Sequence, residues 1–146
     1  MEIAELNENQ REKLRDIGVD IVYLFGSQND GTAGELSDVD FGIVLRNPDI
    51  LKDDFLKIYG AIFSILSEIL PAEYLKRRME LHAHEFDLVF LQQANPRMKF
   101  RVVENGRVLF QSSPRVVADF REQALTRYFD FQYFEKISND AFLMRV

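Results

Sequence analysis

Two carboxylates one residue apart, Asp38 and Asp40, lie in an otherwise apolar run, "DVDFGIVL". On a strand, alternate side chains face the same way, so Asp38 and Asp40 project side by side, with Val39 and Phe41 on the other face. Carboxylates held that close repel each other unless a positive charge sits between them. Oxygen-only ligands suit Mg²⁺ or Mn²⁺ better than zinc. The same dipeptide spacing is also met at solvated strand ends and helix caps. Upstream, a first apolar run ends in Gly26-Ser27, and ten residues separate Ser27 from Asp38. A glycine at a strand end lets backbone N–H groups approach a ligand, and a neighbouring hydroxyl completes a phosphate cradle, or an ordinary turn. A third carboxylate, Asp87, interrupts "HEFDLVFL", a stretch expected in mid-sheet. Three acidic strand residues can hold two metal ions roughly 3.5–4 Å apart, an arrangement suited to phosphoryl chemistry.

Several elements must position these residues. "ELNENQREKLRDIG" reads as a helix capped by Asn7 and ended by a left-handed Gly18. Val19 to Phe25 reads as a buried strand, Gly26 to Glu35 as a loop, and Asp38 to Leu45 as a second strand beside the first. Leu51, Phe55, Ile58, Ile62, Ile65, Leu66 and Ile69 recur at helical spacing up to Pro71. His84 to Leu91 reads as a third strand. A short helix from Pro96, a turn at Asn105-Gly106 and a short strand at Val108 to Phe110 follow. Ser113 and Pro114 start a long terminal helix, expected over about 114–138. The predicted whole is one α/β domain over residues 1–146, a small mixed sheet with flanking helices mainly on one face and an open cleft at the carboxylates.

Composition narrows the function. The 146 residues include 18 basic and 24 acidic ones, a net charge of −6, which argues against a surface that coats nucleic acid. Thirteen Phe and no Trp suggest a Phe-rich core, and the absence of Cys excludes thiolate metal sites and Cys nucleophiles. No apolar run approaches the ~20 residues of a membrane helix, so no membrane association is expected. The polar, acidic start carries no signal-peptide pattern, and a cytoplasmic location is expected. His82 and His84 read as surface or turn residues, and Arg77 and Arg78 as a solvated helix face. Arg101 and Arg107 could reach a phosphate, but nothing in the sequence places them.

Gly26-Ser27, ten residues, Asp38-Val39-Asp40, and Asp87 on a later strand resemble the DNA polymerase β-like nucleotidyltransferases. With "FDLVFLQQANPRMKFRVVENGRVLFQ" downstream, the chain is most similar to the minimal nucleotidyltransferase (MNT) group. The resemblance runs from about Ile21 to Phe110. It implies that Asp38, Asp40 and Asp87 are catalytic and hold Mg²⁺ or Mn²⁺, with Asp87 also acting as base. It implies further that Gly26 and Ser27 hold the β- and γ-phosphates of ATP. The group is known mainly as antitoxins paired with HEPN-domain RNase toxins, and its active members are thought to transfer AMP to a toxin tyrosine. The positions after Gly-Ser, often basic in the family, are Gln28, Asn29 and Asp30 here. Two alternatives remain: an antitoxin that neutralises by binding alone, and a small-molecule, aminoglycoside-type nucleotidyltransferase. The stretch "YFDFQYF" (Tyr128 to Phe134) adds a second apolar stripe to the terminal helix, with Phe129 and Tyr133 expected to contact a toxin or a second copy of the chain.

Overall fold

A computed structural model of the chain describes residues 2–26, 39–81 and 86–144. Helix α1 (Glu8–Ile17) is closed at both ends by local chemistry. Asn7 accepts from the backbone of Gln10 while the Gln10 side chain accepts from the backbone of Asn7, a reciprocal cap. Gly18 ends the helix at φ 101°, where a side chain would be strained. The chain then enters β1 (Val19–Phe25). It continues through β2 (Asp40–Leu45), a 3₁₀ turn at Pro48–Ile50, and the helices α2 (Leu51–Ser67) and α3 (Ala72–Glu80). Strand β3 (Asp87–Phe90), helix α4 (Pro96–Asn105), strand β4 (Arg107–Gln111) and helix α5 (Pro114–Met144) complete it.

The sheet is mixed, in the order β3-β2-β1-β4. β1 runs antiparallel to both β2 and β4, and β2 runs parallel to β3. Its two faces are both covered, which corrects the expectation of helices mainly on one side. Val22 and Leu24 of β1 and Phe41 and Ile43 of β2 pack with Leu14 of α1 and Ile58, Ile62 and Leu66 of α2. Ile21 and Tyr23 of β1 and Val44 of β2 pack on the other face with Val102 and Val103 of α4 and Phe120 and Ala124 of α5. Alternation along β1 from Ile21 onward, past an irregularity between Val19 and Ile21, and along β2 feeds both cores, and so both strands read as continuous apolar runs.

Other differences have similarly simple causes. Arg78, expected on a solvated face, is buried, with its guanidinium 5.8 Å above the Tyr74 ring. Phe41, Phe86, Phe90, Phe110 and Phe120 are buried as expected, but Phe129, Phe131, Phe134 and Phe142 are exposed on α5. That helix is 31 residues long and ends at Met144, beyond the expected 138. His82 and His84 lie outside the described residues. No single helix among the described residues is long and apolar enough to cross a membrane.

Two polar details bear on how firmly the sheet is held. Gln92, just past β3, accepts from the Leu45 backbone N–H at 3.0 Å and donates to the Leu45 carbonyl at 2.6 Å. Its side-chain amide thereby carries the pairing of β2 two residues beyond Ile43, where the β3 backbone has turned away. The Tyr23 hydroxyl, in contrast, is buried with no hydrogen-bond partner among the described residues. Burial pushes its pKa up to about 12, partly offset by Arg121. The folded state thus keeps the phenol protonated above the pH at which the unfolded chain releases it. The Tyr23 contribution is constant below about pH 10 and falls as the pH rises from there towards the folded value. Tyr23→Phe removes both the unpaired hydroxyl and this ionisation. Urea unfolding at about pH 8 and about pH 11 should show the variant at least as stable as wild type at the lower pH. Its loss on going to the higher pH should be smaller by about 1 kcal/mol. An equal loss in both proteins would show that Tyr23 does not titrate in this way.

Candidate active site

The ends of three strands meet at one edge of the sheet. Phe25, the last residue of β1, lies opposite Asp40, the first of β2, and Asp40 lies opposite Asp87, the first of β3. The Asp87 backbone N–H donates to the Val39 carbonyl at 3.0 Å and fixes that parallel register at its starting point. Val39 and Phe41, on either side of Asp40, are wholly buried in the core beneath α2. By strand alternation Asp40 therefore takes the other face, the one covered by α4. The same holds for Asp87 between Phe86 and Leu88, which pack into the α2 core. Asp40 is half-buried and Asp87 exposed. Asp87 starts an edge strand and does not sit in mid-sheet, as its apolar surroundings in sequence suggest.

Gly26 closes the third side. Its φ is 84°, a left-handed conformation, and a Cβ placed there would lie 2.5 Å from Asp40 Oδ2. Any side chain at this position would meet strain in the backbone and displace the Asp40 carboxylate. The close approach thus brings backbone, with no side chain intervening, against one of the two acidic groups.

These residues floor a cleft of about 1210 Å³, whose wall is one face of α4: Asn95, Arg97, Met98, Arg101, Val102 and Asn105. Its volume exceeds the roughly 300–1,000 Å³ of ordinary small-molecule pockets, so a nucleoside triphosphate can be accommodated. Helix α4 is anchored by Asn95, which caps it by accepting from the Met98 backbone, and by three links to α5. Arg97 makes a two-pronged ion pair with Glu135 at 2.8 and 2.9 Å. The Phe100 and Tyr128 rings stack at 4.0 Å, and Arg121 reaches Glu104 at 2.7 Å.

Of the five residues singled out from the sequence, three (Gly26, Asp40 and Asp87) are therefore brought together. Ser27 and Asp38 lie outside the described residues. Asp40 and Asp87 alone supply two carboxylates on neighbouring strands. Their oxygen-only character, and the crowding of like charges beside Gly26, fit a hard divalent cation such as Mg²⁺ or Mn²⁺. Among the described residues no group of three His, Cys, Asp or Glu side chains forms a metal site. The α4 wall was the part that sequence reasoning missed. Its traces there are Arg101, named as able to reach a phosphate but not placed, and the four-residue spacing of Arg97, Arg101 and Asn105, which puts all three on one helix face. Arg107 lines a different depression, with Glu2, Glu5 and Arg11.

The family described as polymerase beta, nucleotidyltransferase, matches residues 6–115. Solved structures share the fold at low identity. A toxin–antitoxin crystal structure with AMP-PNP is 23% identical with a TM-score of 0.59, covering 94% of this chain and 99% of that one. A structure of tri-AMPylated Shewanella oneidensis HEPN toxin in complex with an MNT antitoxin gives 20% identity, a TM-score of 0.53, and coverage of 90% and 91%. An MntA-HepT toxin–antitoxin structure gives 16%, 0.54, 94% and 99%. A comparison with curated protein sequences gave no match. Since the family match spans well over half of the chain and the mixed sheet places Gly26, Asp40 and Asp87 around one cleft, the chain belongs to the polymerase β nucleotidyltransferase family.

Proposed function

We propose that the protein transfers AMP from ATP to a tyrosine hydroxyl of a HEPN-family toxin and so acts as its antitoxin. The observation that carries this reading is the pairing of Asp40 with Asp87 at the floor of the cleft, against the bare backbone of Gly26. Support comes also from structural neighbours that contain AMP-PNP in one case and an AMPylated HEPN toxin in another. Asp38, Asp40 and Asp87 would hold Mg²⁺. Bound there, the ion supplies neutralisation of the triphosphate charge and of the charge that develops as pyrophosphate leaves. Gly26 and Ser27 hold the β- and γ-phosphates through backbone N–H and hydroxyl. Asp87, at the exposed lip, takes the proton of the incoming hydroxyl. The hydroxyl oxygen bonds to the α-phosphorus, the bond from that phosphorus to the bridging oxygen breaks, and pyrophosphate departs. The contribution of the protein is mainly position and fixed charge.

The test is incubation of the protein with ATP, Mg²⁺ and a HEPN partner, followed by mass spectrometry of the partner. AMP on a partner tyrosine is the expected product, and an unmodified partner in an intact complex contradicts it. Asp40→Asn should slow transfer by about 100-fold or more. Its metal-free thermal midpoint should stay level or rise, since a like-charge repulsion is removed. Wild-type transfer by this variant would remove Asp40 from the mechanism.

We assign the partner's binding surface to helix α5. Phe120 and Ala124 are buried against the sheet and Tyr128 stacks on Phe100, which occupies one stripe of the helix. The second stripe is open: Phe129 and Tyr133 are 58% and 67% exposed, and Phe134 and Ile137 are exposed beside them. An apolar surface of this extent is typical of an interface, with the toxin or with a second copy of the chain. Replacing Phe129 and Tyr133 together by Ser should weaken complex formation in sedimentation or pull-down experiments. The isolated protein should keep its fold and its metal-dependent nucleotide binding. Unfolding of the isolated variant would instead assign both side chains to the core.

A further inference from the structure

We infer that Arg101 is the residue that binds the β- and γ-phosphates from the α4 side of the cleft, an inference that rests on the nucleotide-transfer reading above. From Val19 to Leu45 the sequence has no Lys or Arg, while Asp30, Glu35, Asp38 and Asp40 fall between Gly26 and Leu45. Phe86 to Leu91 adds Asp87 and again no basic residue. Every strand that floors the cleft therefore brings negative charge or none. The triphosphate is itself an anion, and cations held by the carboxylates would balance only part of the combined negative charge, so a further positive group must come from elsewhere.

Only α4 can provide it among the described residues that line the cleft, and it does so with Arg97 and Arg101, one turn apart. These two are not equivalent. Arg97 is committed to Glu135 through both carboxylate oxygens, and its guanidinium lies 5.6 Å over the Phe131 ring, so it serves the joint between α4 and α5. Lys99 is buried on another side of the helix and takes no part in the lining. Arg101 is exposed, lines the cleft together with Asp40 and Asp87, and has no ion pair among the described residues. Its planar guanidinium can hold two phosphate oxygens at once, a geometry that Lys does not reproduce.

Titration calorimetry on the full chain, with Mg²⁺ present, separates phosphate binding from other roles. The probes are AMP-PNP, which carries all three phosphate positions, and AMP, which carries one. Arg101→Gln should weaken AMP-PNP binding by about 10-fold or more and leave AMP within about twofold of wild type. Arg101→Lys should recover part of the loss, and Arg107→Gln, in the other depression, should match wild type. Wild-type affinity of Arg101→Gln for AMP-PNP would overturn the inference. An equal loss of AMP-PNP and AMP would overturn it too, because that pattern belongs to a general disturbance of the cleft. If the wild-type chain binds neither nucleotide, the nucleotide-transfer reading itself fails and takes the inference with it.

Discussion

Parallel pairing of β2 with β3, in the register that sets Asp40 against Asp87, is the constraint on which the site depends. Side chains on a strand repeat every two residues, so a slip of one residue would turn Asp87 towards the apolar core under α2 and bring Phe86 or Leu88 into the cleft. Both ends of the pairing are fixed. At one end the Asp87 N–H meets the Val39 carbonyl, and at the other Gln92 takes both backbone groups of Leu45. The burial of Val39, Phe41 and Phe86 resists any such slip, because each would have to leave an apolar environment. Gly26 then adds the third constraint by allowing the backbone of the β1 end to approach Asp40 without a side chain between them.

The two faces of the sheet divide the work. The α1–α2 face is a continuous apolar core and supplies most of the burial. The other face carries a smaller core, and helix α4 above it has two duties: Val102 and Val103 pack on the strands, while Arg97, Arg101 and Asn105 turn towards the cleft. Helix α5 holds α4 in place through Glu135, Tyr128 and Arg121, yet beyond Tyr128 it leaves most of its apolar side chains in solvent.

Much of this was legible in the sequence where a single residue type settles local structure. Gly18, Asn7, Pro114 and the β-branched run from Val19 marked their boundaries because caps, turns and strand packing act over a few residues. The spacing of Gly26, Asp40 and Asp87 was likewise readable, since it reflects strand ends. What remained hidden was tertiary. Helical periodicity shows that α2 and α4 each have an apolar face, but not that they lie on opposite sides of the sheet. Ser138, Asn139 and Asp140 look like the end of a helix, yet α5 continues through them to Met144. Arg78 reads as a surface charge until Tyr74 is seen beneath it, and Arg101 acquires its place only when α4 folds over the strand ends.

The β2–β3 register puts Asp40 and Asp87 side by side, and the proposed transfer requires them to act as one unit. A double-mutant cycle on AMP-transfer rate tests it most directly, comparing Asp40→Asn, Asp87→Asn and the two together against the uncatalysed background. Groups that work as a unit lose nearly everything with the first substitution. The double variant is therefore expected to be no slower than the slower single one. Penalties that multiply across the cycle, or a wild-type rate in either single variant, would contradict the account.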